Sequence, residues 1–346
     1  MEKANTKITI DVHSTTPIYK QLVESIQDNI ESNEYQDGDF VPSMNELALE
    51  LDISKETVKK AYTILREKGI LESVQGKGFY INSKRNSKIK ILLLFDKLST
   101  YKQILYNSFV ENTSSSAEIT IRLHNQDPVL FSQFIEEYKD QYDYYIITPH
   151  FSLQAQVQKS IVQTLKKVPN RKLIVLDKFV DGLPGNFGCI YQDFEKDVYN
   201  GLLQGIDRLR EFQMLDILLL PGSLYGPLII KGIKKFCVDY DIQYRIFKSI
   251  EADKIKAGHA FLIINGQLDI ELINLTHTAK SKDFAIGKDI GIIAYNESPI
   301  NEIILNGLSV LSTDFRQMGK LAAEMIGSNE FKKIKCDFSL IKRGTF

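Results

Sequence analysis

Residues 42–65 read Pro42-Ser43-Met44-Asn45-Glu46-Leu47-Ala48-Leu49-Glu50-Leu51-Asp52-Ile53-Ser54-Lys55-Glu56-Thr57-Val58-Lys59-Lys60-Ala61-Tyr62-Thr63-Ile64-Leu65. Ser43 and Glu46 have the S-x-x-E spacing of a capping box, in which the serine caps a helix and the glutamate reaches back. The short helix that follows buries Leu47, Ala48 and Leu51. Asp52-Ile53 makes a turn and Ser54 caps a further helix, with Val58, Ala61, Tyr62 and Leu65 on its core face. Lys55 and Lys59, four residues apart, share the opposite face with Lys60 beside them. Two helices joined by a tight turn, the second carrying cations outward, form a helix-turn-helix.

Upstream, Ile18, Leu22, Val23, Ile26 and Ile30 recur at helical spacing from Pro17, and Asp37-Gly38-Asp39 turns the chain. Downstream, Ile70–Val74, Gln75-Gly76-Lys77-Gly78 and Phe79–Ile81 read as a hairpin with a lysine at its glycine-rich tip. The Gly-Lys-Gly lacks the GxxxxGK[ST] spacing of a phosphate loop and no helix follows it.

The order of elements and the residues resemble the winged-helix DNA-binding domain of the GntR family of bacterial regulators. The resemblance runs from Pro17-Ile18-Tyr19-Lys20-Gln21-Leu22 to Gly76-Lys77-Gly78-Phe79. It takes in Pro42-Ser43, Glu46-Leu47-Ala48, Ser54, Thr57-Val58, Ala61-Tyr62, Leu65 and Gly69. It implies DNA contacts at Ser43, Asn45, Lys55, Thr57, Lys59, Gln75, Gly76 and Lys77. Arginine is frequent in that family where Asn45, Lys55 and Lys59 stand here. Lysine is a flexible point charge rather than a bidentate fork, so the two lysines are expected to contact mainly phosphate, or guanine less selectively, and Asn45 to read adenine or bind the backbone.

Charge is segregated along the chain. The whole sums to −1, yet residues 1–52 hold 3 Lys/Arg against 11 Asp/Glu, residues 53–90 hold 10 against 3, and the rest hold 30 against 30. The basic stretch is the electrostatic footprint of a nucleic-acid site. At 346 residues, 43% hydrophobic and 25% charged, the composition is that of a globular protein of about two domains. Apolar runs such as Ile91–Phe95 are strand-sized, well short of the roughly 18 residues a membrane span needs. The start, Met1-Glu2-Lys3-Ala4-Asn5, has no apolar signal region. Cys189, Cys237 and Cys336 lie far apart, as in a reduced, cytoplasmic protein.

Asn82–Lys88 has no apolar residue and reads as a linker. Residues 1–82 are thus expected to form the winged helix, 83–88 the linker and 89–346 a second domain. From Ile89 strand runs alternate with helical stretches. Strands are expected at 89–95, 118–123, 144–148, 172–176, 189–191, 216–220, 244–247, 260–264, 290–294 and 307–311. Helices are expected near 101–112, 129–138, 153–166, 194–210 and 228–240. That alternation argues for an α/β architecture of doubly wound parallel sheets, and about 256 residues suit two lobes better than one. The expected division is lobe 1 at about 89–191 and 313–328, and lobe 2 at about 192–312 and 333–346. Ligands of such sheets sit beyond the carboxyl ends of the strands. The polar residues there are Asp96, His150, Asp177, Lys178, Asp193, Tyr225, Asn265 and Asn296, with Tyr101 available for stacking. Hydrogen-bonding chemistry of this kind suits a polyhydroxylated ligand.

This segment resembles the periplasmic-binding-protein-like effector domain of LacI/GalR regulators. The resemblance rests on Gln192-Asp193-Phe194, Gln204-Gly205-Ile206, Leu311-Ser312-Thr313-Asp314, Met318-Gly319-Lys320-Leu321-Ala322 and the ending Leu340-Ile341-Lys342-Arg343-Gly344-Thr345. Two departures bear on the ligand. Ile229, three before Gly232, stands where that family carries an effector-gripping arginine, and Asn296 stands for its late-strand aspartate. A GntR winged helix joined to such a domain is the architecture of arabinose-type repressors. The resemblance implies a homodimeric repressor, a palindromic double-stranded operator and a sugar or sugar derivative as effector.

No catalytic constellation stands out. His13, His124, His150, His259 and His277 form no HExxH pair, no G-x-S-x-G elbow occurs, and Gly182, Gly185 and Gly188 lie in a loop before a strand. No cofactor, metal or membrane partner is expected. The alternatives are a regulator answering to a non-sugar ligand or a protein, and an α/β enzyme with a DNA-binding appendage.

Overall fold

The computed structural model describes residues 8–12, 14–74, 76–82, 88–219, 222–264 and 270–346. Most of the expected linker, 83–87, together with Gln75 and Asn265, lies outside the described residues. The chain divides into two compact units, Met1–Lys88 and Ile89–Phe346.

The first unit holds α1 (Ile18–Glu31), β1 (Phe40–Val41), α2 (Met44–Glu50), α3 (Lys55–Glu67), β2 (Leu71–Val74) and β3 (Gly78–Ile81). Its three strands form an antiparallel sheet ordered β1-β3-β2. Leu22, Ile26, Leu47, Val58, Ala61, Tyr62, Leu65 and Ile81 make its core. The Tyr62 hydroxyl donates to the Pro42 carbonyl at 2.7 Å, tying α3 to the start of α2, while its ring meets Phe79 edge-on at 5.1 Å. One side chain thus joins both helices to the hairpin.

The second unit contains two six-stranded sheets. Chain order begins with β4 (Lys90–Phe95), α4 (Thr100–Asn112), β5 (Glu118–Leu123), α5 (Pro128–Tyr138), β6 (Tyr144–Ile147), α6 (Ala155–Leu165), β7 (Leu173–Lys178) and β8 (Gly188–Gln192). Next come α7 (Phe194–Leu203), α8 (Ile206–Leu209), β9 (Met214–Leu219), α9 (Gly226–Asp239), β10 (Tyr244–Phe247), β11 (His259–Ile264), α10 (Ile270–Ser281), β12 (Ile290–Tyr295) and β13 (Ser309–Thr313). The chain ends with α11 (Phe315–Ser328), β14 (Lys333–Lys335) and β15 (Phe338–Ile341). The first sheet runs β14-β8-β7-β6-β4-β5, all parallel. The second runs β10-β9-β11-β12-β13-β15, parallel except for its last pair. Helices cover both faces of each sheet, so central strands such as β11 and β12 are buried along their full length. That is why they read as unbroken apolar runs rather than alternating ones.

The structure shifts several of the expected boundaries and adds a helix. Lys333–Lys335 pairs with β8 in the first sheet, so residues 333–335 stand with lobe 1 rather than lobe 2. A three-residue edge strand leaves too little pattern to assign it to a sheet. The last parallel strand is Ser309–Thr313, displaced toward the C-terminus from 307–311. The single helix 194–210 is broken at Gln204-Gly205, where a Cβ would lie 2.6 Å from Leu340 Cδ2. Helix α10 has no counterpart in the sequence reading, because its exposed Ile270 and Ile273 blur the amphipathic period.

Helix α11 returns the chain to lobe 1 and lies against α4. A Cβ at Gly319 would sit 2.2 Å from the Leu105 carbonyl and 2.8 Å from the Phe109 nitrogen. The Ser108 hydroxyl donates to the Arg316 carbonyl across the same contact at 2.7 Å. Gly319→Ala is therefore expected to destabilise the protein by about 1–3 kcal/mol, the usual range for an overfilled core. Gly327→Ala in the same helix meets nothing within 4 Å and should be neutral or stabilising by up to ~1 kcal/mol. Urea unfolding of both variants checks the contrast.

Candidate functional site

In the first unit, Ser43 accepts the Glu46 amide at 3.3 Å and its own amide donates to Glu46 Oε2 at 2.8 Å, completing the capping box. Ser54 accepts the Thr57 amide at 3.2 Å, and the two hydroxyls lie 2.8 Å apart. Asn45, Lys55, Lys59, Gly76 and Lys77 are exposed, whereas Ser43 and Thr57 are half-buried. The hydroxyls of Ser43 and Thr57 are thus engaged in setting where α2 and α3 begin. Lys59 has one loose ion pair, to Glu56 at 3.5 Å, and such an exposed pair contributes little. Lys60 lies over the Tyr19 ring at 3.9 Å, which draws it back onto α1. Gly76 has a φ of +79°, a turn conformation that side chains disfavour.

In the second unit, a cavity of about 270 Å³ opens at the carboxyl ends of both sheets. Lobe 1 contributes Asp96, Lys97, Tyr101, Gln126, His150, Asp177 and Gln192, and lobe 2 contributes Phe194, Leu224, Tyr225, Ile229, Ile264, Tyr295 and Asn296. One wall is therefore polar and the other largely apolar and aromatic. Asp177 and Asn296 adopt φ values of +73° and +72°, a left-handed conformation that Asp and Asn accept more readily than most side chains.

The polar wall is an ion network. Lys102, fully buried on α4, contacts Asp96. Thr148 Oγ1 donates to Asp96 Oδ1 at 3.3 Å and Gln126 Nε2 donates to Oδ2 at 3.5 Å. His150 bridges the two carboxylates, with Nε2 2.9 Å from Asp177 Oδ2 and Nδ1 3.6 Å from Asp96 Oδ1. The carboxylate facing Nε2 can only accept, so a hydrogen on that nitrogen suits this approach. The Gln192 amide also donates to Asp177. Burial raises the Asp177 carboxyl, but His150, Lys102 and Gln192 outweigh it and hold the group below the usual range. Burial also pushes Lys102 down to about 8, against the attraction of Asp177. His150 is lowered by burial and then by Lys102, against Asp177. The His150 ring meets Tyr225 edge-on at 5.0 Å across the cleft, and Tyr225 stacks on Phe194 at 4.3 Å. Among the described residues, the Tyr295 hydroxyl and Asn296 Oδ1 are buried without a hydrogen-bond partner, an arrangement that costs about 1–3 kcal/mol per group unless another group satisfies it.

The chain crosses between lobes three times, after Gln192, after Thr313 and after Lys335. The crossings are joined pairwise. Thr313 Oγ1 donates to Gln192 Oε1 at 2.9 Å. The Asp314 amide donates to the Asp337 carbonyl at 2.9 Å, and Gln317 Nε2 to Asp337 Oδ2 at 2.9 Å. Buried Asp197 accepts the Asp193 amide at 2.6 Å and pairs with Lys335.

The family profile described as bacterial regulatory proteins, gntR family, matches residues 18–81. The HTH-type transcriptional repressor YtrA of Bacillus subtilis is 32% identical over 117 residues, covering 34% of this chain and 86% of that protein. This chain belongs to the gntR family. It is a DNA-binding transcription regulator. The mannosyl-D-glycerate transport/metabolism system repressor MngR of Escherichia coli is 38% identical over 82 residues, 23% of this chain and 34% of that relative. The chain thus spans most of YtrA and about a third of MngR. The fold of the second unit is that of LacI-type repressors. The dimeric lac repressor matches with a TM-score of 0.58 at 17% identity over 74% of this chain and 98% of that one. The trehalose repressor from Escherichia coli matches at 0.59 and 12% over 74% and 100%.

Of the nine ligand residues the sequence suggests for this gntR-family regulator, six line the cavity: Asp96, Tyr101, His150, Asp177, Tyr225 and Asn296. Asn265 lies outside the described residues. Lys178 is turned to Gln158 Oε1 at 2.7 Å. Asp193 caps α7, accepting the Lys196 amide at 3.2 Å, and pairs with Lys196 at 3.4 Å. Strand-end polar residues are usually caps or solvated turns, and nothing local separated Asp193 from Asp177. The cavity also contains Gln126, Gln192, Phe194, Ile264 and Tyr295, which sequence reasoning passed over as ligand candidates. Lys102 beneath it carried a readable signal: it falls on the same buried face of α4 as Leu105 and Phe109, an unusual place for a cation.

Buried His124 is lowered to about 4 from 6.5, chiefly by burial, and His150 is lowered as well. Below pH 6.5 the unfolded chain therefore binds protons that the folded one refuses, so acid weakens the fold. Unfolding free energy should fall by on the order of 1–2 kcal/mol between pH 7 and 5 on account of His124 alone. The slope should flatten in His124→Asn, as measured by urea titration at both pH values.

Proposed function

We propose that this gntR-family regulator is a homodimeric, cytoplasmic repressor, and that its affinity for a palindromic operator is set by a sugar or sugar derivative bound between the lobes. The observation that carries the reading is the cleft itself. Asp96, His150, Asp177 and Asn296 converge on one volume with an unsatisfied Tyr295 hydroxyl, and such a set suits the donors and acceptors of a polyol. The relatives named for mannosyl-D-glycerate and trehalose systems support sugar control. On the DNA side, α3 enters the major groove through Lys55, Thr57 and Lys59. Ser43 and Asn45 at the start of α2 reach the backbone or a base edge, and the Gln75-Gly76-Lys77 wing tip meets the adjacent minor groove. No turnover is part of this reading. By linkage, effector and operator affect each other's affinity equally, typically by about 1–3 kcal/mol.

A second reading has one observation in its favour. Ile229 faces the cavity together with Phe194, Leu224 and Ile264, which suits a ligand with a broad apolar face rather than a free monosaccharide.

The test is a thermal-shift screen of the whole protein against monosaccharides, sugar phosphates and unrelated metabolites. A sugar at 100 times its dissociation constant stabilises the fold by about 2.7 kcal/mol, and His150→Ala should abolish that shift while DNA binding persists. A shift with a non-sugar alone would select the second reading. For DNA, Lys55→Ala should weaken binding and reduce the salt slope by about 0.9, the loss of one phosphate contact. An unchanged slope in a salt titration would remove Lys55 from the phosphate contacts.

A further inference from the structure

Each of the three links between the crossings can be asked what else it touches. The Asp314–Asp337 link also engages Gln317 of α11, and the Asp197–Lys335 link also holds the Asp193 amide, but none of these residues lines the cavity. The Gln192 link is different. Gln192 is buried and lines the cavity. Its Nε2 donates to Asp177, the carboxylate that also holds His150, and its Oε1 accepts from Thr313 on the second crossing. A carboxamide is suited to this place because it donates at one end and accepts at the other. The two bonds are buried, where polar groups left unpaired are costly. A change of charge or bonding at Asp177 must therefore be answered at Thr313.

The geometry points to Gln192 as the residue that transmits the state of the ligand cavity to the inter-lobe crossings, acting through Thr313. It is a positioning residue, and the inference rests on the proposed effector role of the cleft. A ligand hydroxyl or amine that engages Asp177 competes with the Gln192 donor. Gln192 then gives up or reorients its bond to Thr313, and the first two crossings shift relative to each other.

The test uses neither effector nor operator, so its failure is separable from that of the proposed function. Asp177→Asn in the full-length protein alters the cavity end of the chain of bonds. Amide hydrogen exchange is read at Asp314 and Cys336, whose amides donate to Asp337 and Tyr191 across the crossings. Both are normalised to the Ile292 amide, which donates to Thr345 within lobe 2. Asp177→Asn should raise normalised exchange at both sites about fivefold or more. In a Thr313→Val background, whatever its own baseline, the same substitution should add less than about twofold, and Thr313→Ser should restore the response. An equal effect of Asp177→Asn in the wild-type and Thr313→Val backgrounds, or no effect at either amide, overturns the inference. Should Asp177→Asn fail to fold, Gln192→Met is read instead, and unchanged exchange at Asp314 and Cys336 in that variant overturns the inference equally.

Discussion

Three passages of one chain between two largely parallel sheets constrain everything in the larger unit. A parallel sheet delivers all its carboxyl ends to one edge, and the crossings leave from that edge after Gln192 and Thr313. The loops that follow β4, β6, β7, β9 and β12 consequently converge on a single cavity. The same constraint explains the close approach at Gly319: α11 must return along α4 before the chain can cross again. Cleft and crossings are two aspects of one topology, and a single buried glutamine belongs to both.

The electrostatics of the cleft follow from its depth. Lys102, His150, Asp96 and Asp177 are all buried, and charges in such a place persist only when paired. The network places the lysine on Asp96 and the histidine between the carboxylates. Burial lowers both bases, while the partners of Asp177 keep it ionised. The result is a preorganised acceptor face opposite a wall of Phe194, Tyr225, Ile229 and Ile264. Lobe 1 thereby offers hydrogen bonds and lobe 2 offers contact area. A ligand that satisfies both walls favours the arrangement in which they face each other.

The smaller unit was almost fully legible, because its determinants are local. Ser43 and Glu46 are three residues apart, Ser54 and Thr57 likewise, and both caps form as spaced. The apolar faces of α1 and α3 are set by helical periodicity alone. The pairing of β1 with β3 as a third strand, the Tyr62 bond to Pro42 and the diversion of Lys60 onto Tyr19 needed the assembled domain.

In the larger unit, the alternation of apolar runs and amphipathic stretches was enough for an α/β class with parallel sheets. It was also enough for the strand ends where Asp96, His150, Asp177 and Asn296 stand, since strand length and polarity are properties of neighbouring residues. Tertiary structure decided which strand ends share a cavity, because pairing order is a long-range matter that no local spacing encodes. It sent β14 to the first sheet, turned Asp193 into a helix cap and drew Gln192 and Lys102 into the polar network. Each outcome depends on groups far apart in the chain meeting where water is excluded, and there the cost of an unpaired polar group selects its partner.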